Sequence, residues 1–118
     1  MSSTFDDHFR SPRNTGVLED ADGRVKVENP VCGDVLVLSW KAAPEAMIEA
    51  VRFQVIGCPA AIAAGSLLTE MIVGGDAKSL AAVGADEIAA ALGGLGTSNF
   101  HAAVLAADAL EALIKKLS

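Results

Sequence analysis

Met47-Ile48-Glu49-Ala50-Val51-Arg52-Phe53-Gln54-Val55-Ile56, followed at once by Gly57-Cys58-Pro59-Ala60-Ala61-Ile62-Ala63-Ala64, is where this chain changes its hydrophobic period. Before Gly57, the apolar Val51, Phe53 and Val55 alternate with Arg52 and Gln54, the period of two expected of a strand with one buried face. After it, Ala61, Ala64, Leu68, Met71 and Ile72 fall along one helical stripe, which Gly74-Gly75 stops. The spacing therefore predicts a strand from Met47 to Ile56 and a helix from Cys58 to Val73.

Working back from that junction, Ala43-Pro44-Glu45 supplies a turn, and Val35 to Lys41 alternates again, with Leu36, Leu38 and Trp40 set against Val35, Val37 and Ser39. Arg24 to Glu28 places Val25 and Val27 on one face. Short links make the three segments an antiparallel meander. Ahead of them, Thr4 can cap a short helix through about Arg10, with Asp6 and Asp7 in its first turn, and Pro12 ends it in the loop Ser11–Gly16.

Working forward, Asp76 to Leu92 reads as two short helices broken near Gly84, and Gly93-Gly94-Leu95-Gly96 as a flexible link. A last helix is expected from a cap at Thr97 or Ser98 to about Lys116. Its buried side is Ala103, Ala106, Leu110, Leu113, Ile114 and Leu117; Asp108, Glu111 and Lys115 line the wet side, the last two spaced as a helical ion pair. Strands first and helices after give an α+β class: a three-stranded antiparallel sheet with helices packed on one face, as a single domain over residues 1–118.

The 118 residues are 52% apolar and 20% charged, a globular composition, and only 4% aromatic, so Val, Leu, Ile and Ala must fill the interior. A formal charge of -6 with scattered Lys and Arg argues against nucleic acid or an anionic membrane as partner. The first ten residues have no apolar core of a secretory signal, and the uncharged run Val55 to Thr69 falls short of the roughly 20 residues a membrane span needs. A soluble, cytoplasmic protein is expected, with Cys32 and Cys58 as thiols rather than a disulfide.

Three places carry chemistry. In Asn29-Pro30-Val31-Cys32-Gly33-Asp34 a thiol and a carboxylate stand two apart across a glycine; on an extended backbone they share a face, and sulfur with oxygen is plausible partial ligation for zinc or iron. Cys58 precedes Pro59, a residue suited to the first helical position, so its sulfur would sit at a helix N-terminus, where the thiolate is favoured. A small buried residue at a strand–helix junction is the alternative reading. His101 falls in the first turn of the last helix and can be a third ligand if both helix starts open on one edge of the sheet; an ordinary surface or core histidine is the alternative. His8 reads as structural.

The chain resembles the N-terminal type of IscU/NifU iron–sulfur cluster assembly scaffold. His8-Phe9-Arg10-Ser11-Pro12-Arg13-Asn14-Thr15-Gly16 is similar to that family's His-Tyr-x-x-Pro-Arg-Asn-x-Gly. Cys32-Gly33-Asp34 matches its first ligand motif, and Gly57-Cys58 with Ala61-Ile62-Ala63 and Ser66-Leu67-Leu68-Thr69-Glu70 matches the segment of its second cysteine. Phe100-His101-Ala102-Ala103-Val104-Leu105-Ala106-Ala107-Asp108-Ala109 resembles Ile-His-Cys-Ser-Ile-Leu-Ala-x-Asp-Ala. Ala102 thus stands where the family has its third cysteine. Leu95-Gly96-Thr97-Ser98-Asn99 replaces the Leu-Pro-Pro-Val-Lys that the IscU branch presents to a dedicated Hsp70-type chaperone, so that partner is not expected here.

The resemblance implies a metal site of Cys32, Asp34, Cys58 and His101, with Cys58 as candidate sulfur acceptor. Two sulfurs, one oxygen and one nitrogen suffice for four-coordinate zinc or iron, and they are an unusual set for a transient [2Fe–2S] cluster, although His can replace Cys there. The implied partners are a cysteine desulfurase and apo-protein cluster acceptors, and the implied role is that of a scaffold rather than an enzyme. A zinc- or iron-binding regulatory module, and a sulfur-transfer module using Cys58 as a persulfide carrier, are the alternatives. No Ser or Cys nucleophile comes with a base and an orienting acid, so a hydrolase has little support.

Overall fold

The computed structural model describes residues 3–29, 33–44, 47–96 and 99–117. Helix α1 (Ser3–Arg10) leads into strands β1 (Gly23–Glu28), β2 (Val35–Ala42) and β3 (Ile48–Ile56), then helices α2 (Pro59–Ile72), α3 (Ala77–Leu80), α4 (Ala85–Ala91) and α5 (Phe100–Leu117). The sheet runs β1-β2-β3 with both pairs antiparallel, Val25 opposite Leu38 and Leu38 opposite Phe53. This is the expected meander, and the break near Gly84 separates α3 from α4 as expected. The expected caps Thr97 and Ser98 lie outside the described residues.

Alternation decides which sheet face is covered. Val25, Leu36, Leu38, Trp40, Val51 and Phe53 are buried, and α2 and α5 pack on them. Met47, predicted to open β3, lies outside it and is exposed. On α5, Ala103, Ala106, Leu110 and Leu113 are buried, Ile114 and Leu117 are partly buried, and Glu111 pairs with Lys115 at 3.5 Å.

Helix α2 departs from the one-stripe expectation. Beyond the predicted stripe, Ala60, Ala63, Gly65, Ser66, Leu67 and Thr69 are also buried, because β3, α1, α4 and α5 all pack around it. A helix apolar or small on nearly every side is a central one. Gly65 lets it come close to the sheet: a Cβ there would lie 2.7 Å from the Phe53 ring. Two of its polar residues have partners from the N-terminal segment. Ser66 Oγ accepts from the Arg13 N–H at 2.9 Å and lies 2.6 Å from His8 Nδ1, while Thr69 Oγ1 accepts from Asn14 Nδ2 at 3.1 Å.

The loop after α1 also reaches the other side of the sheet. Ser39, on the β2 face opposite Leu38 and Trp40, is also buried, and its hydroxyl accepts from the Leu18 N–H at 3.1 Å. Asn14 to Gly16 pairs with Phe53 at the outer edge of β3, through Phe53 N–H to Asn14 O at 2.8 Å and Gly16 N–H to Phe53 O at 2.9 Å. An exposed strand edge is thereby partly closed.

Candidate metal centre

Three loop–element junctions converge at one end of the sheet. Asp34 sits just before β2. Gly33, at φ 75°, is in the left-handed region that glycine favours, and Gly33 N–H to Asn29 O at 2.7 Å and Asn29 N–H to Asp34 O at 2.8 Å close the link from β1. Gly33 therefore departs from an extended backbone, the bend that a glycine allows. Cys32 itself lies outside the described residues.

Cys58 is the N-cap of α2, extended at φ -76° and ψ 164°, with Pro59 at the helix start as predicted. Its carbonyl accepts from the N–H groups of Ala61 and Ile62, and its own N–H donates to Asp34 Oδ1 at 3.3 Å. His101 is in the first turn of α5.

The side chains meet. Cys58 Sγ donates to Asp34 Oδ2 at 3.4 Å and lies 3.6 Å from His101 Nε2, which is 3.4 Å from Asp34 Oδ2. The three ligand atoms all lie within 4.8 Å of one another. A tetrahedral ion with bonds of about 2.0–2.3 Å needs ligand–ligand edges of about 3.3–3.8 Å. The observed triangle already has that size, so the three residues fit a single metal ion. The Asp34 side chain is 6% exposed and that of His101 26% exposed, so the carboxylate forms the floor and the imidazole the rim. A cleft of about 460 Å³ between Thr15, Phe53, Val55 and Ile62 contains none of the three.

The structure thus brings together Asp34, Cys58 and His101 of the predicted set. Ala102, in the place of the family's third cysteine, is 1% exposed and part of the hydrophobic core. His8, read as structural, lies on α1 and is buried against α2, its Nε2 3.2 Å from Glu70 Oε1. Burial pushes its imidazole below the ordinary value, and the nearby Glu70 carboxylate partly opposes this. Sequence reasoning gave no role to Gly57, whose absent side chain leaves room for the Asp34 carboxylate. Its signals were its place immediately before an N-cap and its pairing with Cys58 in the family-like segment.

A sulfur, an oxygen and a nitrogen donor set at the open end of an α+β sheet define a metal-handling domain. The chain belongs to the NifU-like N-terminal domain family, whose profile matches residues 2–118. It is 46% identical over 108 residues to the iron–sulfur cluster assembly scaffold protein IscU 1 of Archaeoglobus fulgidus, spanning 92% of this chain and 70% of that protein. With the IscU scaffold of Aquifex aeolicus the identity is 43% over 110 residues, again 92% of this chain and 70% of the relative. In fold it is similar to the crystal structure of a candidate iron–sulfur cluster assembly scaffold for the SUF system from Fervidobacterium islandicum AW-1, with a TM-score of 0.74 at 20% identity over 95% of this chain and 94% of that one.

Proposed function

We propose that the protein is an iron–sulfur cluster assembly scaffold that receives iron and sulfide at Asp34, Cys58 and His101, with Cys32 as the fourth ligand, and passes the assembled [2Fe–2S] cluster to apo-proteins. The convergence of Asp34 Oδ2, Cys58 Sγ and His101 Nε2 within 4.8 Å carries this reading, and the named scaffolds it resembles over most of its length support it. Cys58 is the sulfur acceptor: from the N-cap of α2, beside the other two ligand atoms, its sulfur attacks the outer sulfur of a desulfurase cysteine persulfide, the desulfurase thiolate leaves, and a two-electron thiol reductant then converts the Cys58 persulfide to the sulfide of the cluster. Asp34 is the harder, more weakly held ligand for such a cargo, which keeps the cluster exchangeable. His101, at the rim, faces the side from which cargo enters and leaves. The site does its work as a cytoplasmic scaffold and not as the redox enzyme.

A specific observation favours a second reading. With Ala102 in place of the third cysteine, the triangle suits one four-coordinate ion, so a zinc- or iron-binding module is the competing function. Anaerobic reconstitution with iron, cysteine and a desulfurase, read as iron and acid-labile sulfide per chain, separates the two. The scaffold reading expects iron and sulfide in cluster proportion, both lost in Cys58→Ala. Tightly bound zinc or iron without sulfide, with Ala102→Cys restoring the cluster, supports the module; no metal at all, with the same restoration, overturns both readings and leaves the fold kept for another task.

A further inference from the structure

Gly57 stands between β3 and the Cys58 cap, and its backbone does not explain it. The described glycines with positive φ are Gly16, Gly33, Gly74, Gly93 and Gly94, so Gly57 holds a conformation open to any residue. Space explains it. A Cβ at this position would overlap Asp34 Oδ1 and lie 2.6 Å from its Cγ and 3.0 Å from its Cβ, and these three are the nearest atoms it would meet. The residue is exposed, so no packing of the core demands glycine here.

We propose that Gly57 is a positioning residue of the metal centre, a notch that seats the Asp34 carboxylate. The assignment rests on the reading of Asp34, Cys58 and His101 as ligands. In the notch, Oδ1 accepts from the Cys58 N–H at 3.3 Å. That anchor leaves Oδ2 directed at Cys58 Sγ and His101 Nε2, each 3.4 Å away. One carboxylate oxygen is thus spent on the backbone and the other on the cargo, which makes Asp34 a one-oxygen ligand. A methyl group at position 57 pushes the carboxylate off the N–H and moves Oδ2 out of the triangle. Carboxylates that ligate metals are commonly oriented by such outer hydrogen bonds, and losing the orienting partner costs roughly 10–100-fold in affinity.

Two measurements test this, one with metal and one without. Cobalt(II) titration, read through ligand-field bands and sulfur-to-cobalt charge transfer, is expected to show binding about 10–100-fold weaker in Gly57→Ala with altered ligand-field bands. Equal affinity and identical bands in Gly57→Ala overturn the proposal. Absence of sulfur-to-cobalt charge transfer in the unsubstituted protein counts instead against the ligand reading, and the second measurement then decides on Gly57. On the metal-free protein, Gly57→Ala is expected to lower Tm by about 3–10 °C, as overpacking does, and most of that loss is expected to vanish in an Asp34→Ala background, where only the contact at 3.0 Å remains. The same loss in both backgrounds means that Gly57 does not serve Asp34.

Discussion

Single atoms decide the metal centre, and the residues differ in what they risk. His101→Ala removes the rim ligand without touching the buried floor, so zinc affinity is expected to drop by at least about tenfold while the urea midpoint of the metal-free protein stays close to that of the parent. Competition with a chromophoric chelator measures the first and an unfolding curve the second; unchanged affinity removes His101 from the ligand set. Ser66 risks stability instead. Its hydroxyl accepts from the Arg13 N–H and is within 2.6 Å of His8 Nδ1, wholly buried. Assigned from that network, the hydroxyl donates to Nδ1 and the Nε2–H donates to Glu70. Ser66→Ala orphans two buried groups and is expected to cost about 1–3 kcal/mol in urea unfolding. Cys58 and His101 were legible one at a time from their places at helix starts. Their contact was not, because 43 residues separate them.

At the scale of the element, α2 is the part the rest is built around. Its stripe of Ala61, Ala64, Leu68, Met71 and Ile72 was readable from a period of 3.6, but the other buried faces were not. Alanine, glycine, serine and threonine look alike whether a helix face is wet or packed, and only the neighbours decide. Gly65→Ala pushes a methyl group into the Phe53 ring and is expected to destabilise by about 1–3 kcal/mol. Chemical denaturation measures it, and restored stability in Phe53→Leu confirms that the ring is the obstacle. Cobalt binding of the folded fraction should not change, since Gly65 lies in the body of α2 while Cys58 caps its start. The loop Ser11–Gly16 shows the same limit of sequence: its turn residues announced a loop, yet nothing local announced that Asn14 to Gly16 closes the edge of β3.

Across the whole molecule, His8 couples α1 to α2 and makes stability depend on pH. Facing it are Asp7 on its own helix, Arg13 from the following loop and Glu70 on α2. Burial lowers its folded pKa below 6.5, so the unfolded chain takes up a proton first as pH falls. The stability His8 contributes is full above about pH 6.5 and is lost on acidification toward its lower folded value. Urea midpoints between pH 8 and 5 should therefore decline below that point, and His8→Asn should flatten that part of the slope; an identical slope in the variant assigns the effect to other groups. The sequence by itself determined the α+β order, the meander and the placing of Asp34, Cys58 and His101 at the ends of elements, because alternation, helical period and capping are local. Only the tertiary structure decided that three such ends share one edge, that Gly57 is empty for Asp34 and that α2 is buried on nearly every side. Those facts depend on contacts between residues far apart in the chain, and no local pattern encodes the distance between them.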